Sequence, residues 1–227
     1  MRVNLRKSLF LLPNLITLSS VFCGFYAIVL CGGPATSDRD FYRAALLIVY
    51  AMFFDTLDGR VARLTKTQSA LGVQLDSLAD VISFGIAPAT LVYRWSLASL
   101  DQVGLVACFI FVAAGVMRLA RFNVLTMSES GAPKKPGKYI LGLPIPGAAG
   151  ILVSLVVANH SIAGTLPERP VLLLTVVLLL AVCMVSTIRF RSFKDFKLTP
   201  RTLLLVGLAL GSTILVAVKL KPAFALV

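Results

Sequence analysis

"DTLDGRVARLTKTQSALGVQLDSLAD" occupies residues 55–80 and lies between two apolar runs of a 227-residue chain. The whole chain has only ten acidic residues. Four of them fall within this stretch: Asp55, Asp58, Asp76 and Asp80. Carboxylates are costly beside hydrocarbon, and where they occur there they usually serve a function. The stretch therefore predicts a polar site at the edge of apolar segments.

The apolar residues come in long runs, which is typical of a membrane protein. They make up 58% of the chain, which is more than a soluble domain of this size needs, and they do not alternate with polar residues. Seven runs can be recognised, at residues 10–30, 41–54, 81–97, 103–116, 140–158, 171–188 and 203–218. We predict an all-α, polytopic membrane helix bundle of about six to eight spans, forming one domain over residues 1–227.

The basic residues predict the orientation of the chain. The formal net charge is +12, and most of the lysines and arginines lie between apolar runs, which favours lipid headgroups and phosphate-bearing substrates over nucleic acid. They cluster at the N-terminus, in residues 55–80, and after the fourth and sixth runs. Since cytoplasmic loops are rich in lysine and arginine, all four clusters are expected in the cytoplasm. "MRVNLRKSLF" resembles the start of a signal peptide, but no convincing cleavage site follows, so we expect a retained first span.

Two residue types are given no chemical role. The cysteines, at positions 23, 31, 108 and 183, lie in or beside apolar runs without metal-site spacing, so we expect them to pack against helices or lipid. The single histidine, His160, falls on the outer side in this topology and is assigned no function.

Helical geometry groups the carboxylates into two stripes. Several apolar runs are too short to span a membrane alone, so the second must extend into the stretch at 55–80 and the third must begin in it. At about 100° per residue, Asp55 and Asp58 share a helix face, and so do Asp76 and Asp80. Small residues lie on the same faces: Gly59 and Ala62 on the first helix, Gly72 and Ser83 on the second. Carboxylates beside such small residues indicate that a bulky group approaches the backbone.

These carboxylates point to divalent metal ions. Four carboxylates in a poorly hydrated site do not stay ionised together without cations, and hard ions such as Mg²⁺, Mn²⁺ or Ca²⁺ take oxygen ligands. Two such ions are the usual clamp for phosphoryl transfer, and nearby Arg60, Arg63 and Lys66 add positive charge. From the charge pattern alone, a cation or proton transporter and structural pairing of the acids remain open.

The spacing of the stretch resembles the signature of the CDP-alcohol phosphotransferases. The pattern is Asp55-x-x-Asp58-Gly59-x-x-Ala62-Arg63, eight residues, then Gly72-x-x-x-Asp76-x-x-x-Asp80, and every specified position is filled. The resemblance implies a six-helix membrane core, here with one or two further C-terminal helices. It also implies displacement of CMP from a CDP-linked lipid by an alcohol.

The resemblance also implies roles for individual residues. Asp55, Asp58, Asp76 and Asp80 are expected to hold two divalent metal ions (Mg²⁺ or Mn²⁺, with Ca²⁺ an alternative), and Asp80 to act as the general base. The CDP-lipid is expected to contact a set of seven residues: Asn14, Thr17, Asp58, Gly59, Ala62, Arg63 and Gly72.

Further stretches resemble the phosphatidylserine synthase branch of that family: "LPNLITLSSVFCGF", "SFGIAPA", "RLARFN", "GLPIPGAA" and "SFKDFK". The substrates would then be CDP-diacylglycerol and L-serine. Arg118 or Arg121 is a candidate partner of the serine carboxylate, and the prolines of "GLPIPGAA" are expected to break a helix and free backbone groups for a ligand. The expected serine pocket consists of Ser83, Arg118, Arg121, Asn123 and Pro144.

Other functions stay open on the sequence. Glycerol 3-phosphate, inositol phosphate or choline are alternative acceptors within the same family, and the polar loop holding Lys134, Lys135 and Lys138 would suit a phosphorylated one. A divalent-cation transporter is the alternative from another class, although it has no need of the small-residue stripes. We also expect a homodimer, as in many members of the family, in a prokaryotic inner membrane with the site facing the cytoplasm.

Overall fold

The computed structural model describes residues 5–34, 36–65, 67, 69–126, 139–162 and 164–191. The chain divides into two compact units, Met1–Phe190 and Arg191–Val227, and nearly all the described residues belong to the first. The predicted seventh apolar run at 203–218, with any further C-terminal helix, lies outside the described residues. So does most of the predicted polar loop after the fourth run. The single domain over 1–227 stays a prediction.

The first unit is a helix bundle. Its α-helices are α1 (Leu5–Cys31), α2 (Asp38–Leu64), α3 (Ala70–Asp80), α4 (Ala87–Trp95), α5 (Asp101–Thr126), α6 (Ile145–Ile162) and α7 (Pro170–Val185). A π-helical segment, Val81–Ile86, joins α3 to α4 as one continuous rod. The described residues therefore contain six helical rods, which confirms the predicted all-α bundle. Short 3₁₀ turns occur at Leu97–Leu100 and Leu166–Glu168, and two strands, β1 (Tyr139–Leu141) and β2 (Arg189–Arg191), form a small sheet.

Four helical stretches in the described part of the chain are long and apolar enough to cross a membrane: Leu12–Cys31, Ala70–Trp95, Leu97–Leu125 and Ile145–Ile162. Helix α7 is apolar but shorter. Helix α2, at 27 residues, is about 40 Å long at 1.5 Å per residue, which is enough to span. It is less uniformly apolar than those four stretches, because charged residues, including Asp55 and Asp58, lie toward both of its ends.

Side-chain caps set the start of the two helices that carry the carboxylates. Ser37 and Asp40 form a reciprocal capping box at the start of α2, which satisfies backbone donors that a helix N-terminus leaves open. Ser69 accepts a hydrogen bond from the Gly72 backbone N–H at 3.0 Å and starts α3. Both caps come from the local sequence. The short turn between α2 and α3 places the two aspartate pairs at one end of the bundle.

Small residues allow the helical rods to pack closely against one another. Helix α1 packs along α2, where Ala44, Ala45 and Ala51 are fully buried. A Cβ atom on Gly24 of α1 would lie 2.8 Å from the Ser83 Cα, so only glycine lets α1 approach the π-helical segment this closely. The core continues through large buried side chains such as Phe84 and Phe111.

The segment before α6 corrects one expectation. The predicted apolar run begins at residue 140, but the helix begins at Ile145, because residues 139–141 form a strand and Gly142 turns the chain at φ 75°. The backbone N–H groups of Gly142 and Leu143 donate to the carbonyls of Ile188 and Cys183. The "GLPIPGAA" prolines thus start a helix rather than break one, and these two donors are used within the protein instead of being freed for a ligand.

Candidate functional site

The turn between α2 and α3 brings aspartates from both helices together. Carboxylate oxygens of Asp55, Asp76 and Asp80 all lie within 4.8 Å of one another, and all three side chains are half-buried. The side chains of Asp55 and Asp80 are within hydrogen-bonding distance. Carboxylates this close repel each other unless a cation or a proton lies between them. We call these three residues the acidic cluster.

The fourth aspartate, Asp58, is not part of the acidic cluster. It is buried, with 4% of its surface exposed, and its Oδ2 lies 2.6 Å from the Thr17 Oγ1 on α1. It sits three residues after Asp55, one turn nearer the end of α2, where α1 packs against it. The sequence predicted that Asp58 shares a helix face with Asp55. It did not predict the bond of Asp58 to Thr17, because that contact depends on how α1 packs.

A buried arginine lies beside the acidic cluster. Arg118 of α5 is 7% exposed, its guanidinium lies 5.4 Å from the centre of the Phe122 ring, and it is close enough to Asp80 for the two charges to attract. Asp80 Oδ1 and Arg118 Nε are buried and have no hydrogen-bond partner among the described residues. Leaving such groups unpaired is costly, so both atoms are suited to a bound ligand or ion.

The second arginine of α5 has a different environment. The Arg121 guanidinium donates to the carbonyls of Val185 and Ser186 at 2.9 and 3.1 Å, and more weakly to Leu141. These carbonyls lie at the end of α7 and beside Gly142. Arg121 therefore ties α5 to the C-terminus of α7, where backbone carbonyls lack partners within the helix.

The expected CDP-lipid residues lie around the start of α3 and the end of α2. A Cβ atom on Gly72 would lie 3.7 Å from the Asn14 Oδ1, which puts the start of α1 next to that of α3. On Gly59 the nearest atom would be the Arg63 Nη1 at 3.8 Å, so this face of α2 has open space. Ala62 is half-buried and Arg63 is exposed. The room for a bulky group on α2 stays a prediction.

The remaining residues of the expected serine pocket have mixed positions. Ser83 is fully buried and donates to the Ser20 carbonyl at 3.1 Å, contacts typical of helix packing. Pro144 is half-buried and its carbonyl accepts from Ala148 at the start of α6. Asn123 is half-buried and bonds to Ser77 of α3. Of the five, Arg118 and Asn123 are held against the rod that carries Asp76 and Asp80.

Comparison with known proteins decides the family. The sequence model of the CDP-alcohol phosphatidyltransferases matches residues 10–188, which is most of the chain. The chain belongs to the CDP-alcohol phosphatidyltransferase family. This membership makes it a phosphotransferase and confirms the resemblance seen in residues 55–80.

Curated relatives within the CDP-alcohol phosphatidyltransferase family share one name. A protein of Helicobacter pylori (strain ATCC 700392 / 26695) is 39% identical over 198 residues, covering 87% of this chain and 79% of the relative. One of Bacillus subtilis (strain 168) is 32% identical, covering 81% and 91%. One of Saccharomyces cerevisiae (strain ATCC 204508 / S288c) is 38% identical, covering 63% and 52%. Each is named CDP-diacylglycerol–serine O-phosphatidyltransferase.

CDP-alcohol phosphatidyltransferases use divalent metal ions, and the acidic cluster fits one. Its donors are all carboxylate oxygens, which hard divalent cations prefer. They converge from two helices at distances that one ion can bridge, and the unpaired, buried Asp80 Oδ1 lacks the partner that such an ion would supply.

Two connections between helices of this CDP-alcohol phosphatidyltransferase, one at the site and one distant from it, were missed by sequence reasoning. One is the Ser77–Asn123 bond between α3 and α5, and the other is the contact of His160 with α2. His160 Nδ1 lies 2.6 Å from the Asp38 Oδ2, and its ring stacks on Tyr42. The His160 contact joins α6 to the start of α2, away from the acidic cluster. Both contacts join residues far apart in the sequence, so no local sequence pattern predicts them.

Proposed function

We propose that this protein transfers the phosphatidyl group from CDP-diacylglycerol to the hydroxyl of L-serine, giving phosphatidylserine and CMP. The shared name of the relatives supports this choice of substrates. The observation that carries it in this chain is the acidic cluster together with the buried, incompletely bonded Arg118, whose charge is close enough to interact with Asp80. The cluster suits a diphosphate with its metal ions, and an arginine suits the carboxylate of serine.

The residues of the site have different proposed roles in binding the metal ions and the nucleotide. Asp55, Asp76 and Asp80 hold one divalent ion, and a second would draw on Asp58, whose position Thr17 stabilises. When bound, the ions neutralise the diphosphate and stabilise CMP as it leaves. Gly59, Ala62 and Gly72 leave space for the nucleotide, with Asn14 and Arg63 at its edges.

Asp80 is the proposed general base. It takes the proton of the serine hydroxyl, and the serine oxygen attacks the phosphorus attached to diacylglycerol. The bond from that phosphorus to the CMP oxygen breaks, and its electrons leave with CMP. A base must lie within reach of the proton it removes, and Asp80 is the aspartate of the cluster whose charge Arg118 is near enough to attract.

Of the two candidate arginines, Arg118 is the proposed partner of the serine carboxylate. The Arg121 guanidinium is already engaged by three backbone carbonyls. Arg118 has a buried Nε without a partner among the described residues and lies within electrostatic range of the proposed base, so a carboxylate bound there would bring the serine hydroxyl toward Asp80.

The setting of the reaction follows from the charge distribution. We place the protein in the prokaryotic inner membrane with the acidic cluster facing the cytoplasm, because the sequence predicts most of the lysines and arginines on the same side of the apolar runs as residues 55–80. The lipid tails of the substrate then remain in the bilayer. The homodimer stays a prediction.

The decisive experiment is an acceptor panel. Purified protein with Mg²⁺ or Mn²⁺ is given CDP-diacylglycerol and serine, glycerol 3-phosphate, inositol phosphate, choline or no acceptor, and CMP and the lipid product are measured. We expect serine-dependent CMP release with phosphatidylserine as product. Release with another alcohol would overturn the choice of acceptor, and no release from folded protein would favour the cation transporter.

Arg118→Gln is expected to remove selectivity for serine over ethanolamine, which is the same amino alcohol without a carboxylate. Losing one partner of a buried charge pair costs about 2 kcal/mol or more, so the serine-to-ethanolamine ratio of kcat/KM should fall about thirtyfold or more. The ratio is informative because any effect of Arg118 on Asp80 acts on both acceptors alike. Arg43→Gln, an exposed arginine in the first turns of α2, is the control. An unchanged ratio would assign the carboxylate to another residue.

A further inference from the structure

A hydrogen bond between α3 and α5 lies beside the acidic cluster and has no part in the mechanism described above. The Asn123 Nδ2 donates to the Ser77 Oγ at 2.9 Å, and the Asn123 Oδ1 lies 3.3 Å from the same oxygen. The Ser77 Oγ also lies 3.1 Å from the carbonyl of Val73, one turn earlier in α3. Ser77 therefore joins the α3 backbone to the side chain of Asn123.

The position of this bond relates it to the reaction. Ser77 follows Asp76 directly and precedes Asp80 by three residues. On α5, Asn123 comes five residues after Arg118, which acts on Asp80. Because α5 returns beside the rod formed by α3, the same stretch of α5 presents the Arg118 charge near Asp80 and the Asn123 side chain in contact with Ser77.

We propose that Ser77 is a positioning residue for the acceptor alcohol: it holds the Asn123 amide next to the acidic cluster, where the amide contacts the amino acid. This inference rests on the proposed function. An amide carries both donors and an acceptor, which suits the polar groups of a zwitterion. An unrestrained asparagine side chain would lose rotamer freedom each time the acceptor binds. Because the bond to Ser77 already restrains the Asn123 side chain, less rotamer freedom is lost when the acceptor binds.

The chemistry of Ser77 separates it from the catalytic residues. Its hydroxyl is occupied by the Val73 carbonyl and the Asn123 amide, and it is neither a metal ligand nor a base. Its loss should therefore weaken binding of the acceptor without slowing the bond change itself or altering the binding of CDP-diacylglycerol.

The test measures both Michaelis constants in Ser77→Ala, Asn123→Ala and the double variant. One neutral hydrogen bond contributes about 0.5–1.5 kcal/mol, so we expect Ser77→Ala to raise KM for serine about threefold to tenfold. We expect kcat and KM for CDP-diacylglycerol to stay within about twofold. The double variant should be no worse than Asn123→Ala, because the two residues act as a unit. Ser77→Thr, which keeps the hydroxyl, should restore most of the serine affinity.

Ser161→Ala is the matched control. The Ser161 hydroxyl donates to the carbonyl four residues earlier in its own helix at 2.9 Å, as Ser77 does, but it is exposed at the far end of α6. It should leave both Michaelis constants unchanged. Melting temperatures of all variants in detergent show whether any of them is misfolded, and Asn123→Ala tests the same pair from α5 if Ser77→Ala does not fold.

The outcomes separate this inference from the function it rests on. If the unaltered protein forms no phosphatidylserine, both the function and the role of Ser77 fail. If it does, an unchanged KM for serine in Ser77→Ala overturns the role of Ser77 alone. Equal rises in both Michaelis constants, or additive effects in the double variant, would show that the bond only stabilises the fold.

Discussion

Asp80→Asn is expected to lower kcat about a hundredfold to ten-thousandfold, the range that a general base usually contributes. Asparagine keeps the size and shape of the side chain but cannot accept the proton of the serine hydroxyl. Because Asp55, Asp58 and Asp76 remain, the diphosphate still has carboxylates to hold its metal ions. Binding of CDP-diacylglycerol should therefore be largely spared.

Two measurements on the purified variant test this expectation. CMP release reports kcat, and direct titration with CDP-diacylglycerol in the presence of Mg²⁺ or Mn²⁺ reports binding. Asp101→Asn is the control, since Asp101 is an exposed aspartate at the start of α5 and asparagine has nearly the same size and shape. If Asp80→Asn loses lipid binding together with turnover, Asp80 is chiefly a metal ligand and the base is another group.

Removal of divalent metal is expected to abolish activity completely and reversibly. The three carboxylates of the acidic cluster lie within 4.8 Å of one another in a half-buried site, where like charges repel strongly without a cation. Protein treated with EDTA should release no CMP, and added Mg²⁺ or Mn²⁺ should restore release. Binding of the ion to the folded state should also raise the melting temperature.

The control for metal removal uses a change in the cluster itself. In Asp76→Asn the site keeps its size but loses one charge, so the rise in melting temperature on adding the ion should shrink. EDTA-treated protein that retains full activity after thorough dialysis would refute the metal requirement. Restored melting temperature without restored activity would separate ion binding from catalysis.

Local sequence accounted for the helices and for which residues share a face. The caps at Ser37 and Ser69 and the spacing of the aspartates lie within one or two turns, so the sequence alone predicts their geometry. The helix bounds differ from the apolar runs at α5, which continues past the run at 103–116 to Thr126, and before α6, where the run at 140–158 starts in a strand. Hydrophobicity alone does not distinguish a strand from a helix here. The turn at Gly142 depends on its close approach to Met184 of α7.

Tertiary contacts decided which predicted site residues come together. The sequence offered Arg118 and Arg121 as equals, three residues apart on one helix. The structure buries Arg118 within electrostatic range of Asp80 and turns Arg121 to the end of α7, where the carbonyls of Val185 and Ser186 accept from its guanidinium. In the same way, Ser83 is committed to α1 by the close approach of Gly24.

The sequence by itself determined the class of fold, the membership suggested by residues 55–80 and the chemistry of an all-carboxylate site. These depend on composition and on spacings within single helices, which the regular 3.6-residue turn converts directly into positions. Only the tertiary structure decided that three of the four aspartates form the acidic cluster, that Thr17 holds the fourth and that Ser77 meets Asn123. The bonds to Thr17 and Asn123 join residues more than forty positions apart, the acidic cluster joins two helices, and the geometry of all three is set by how the helices pack.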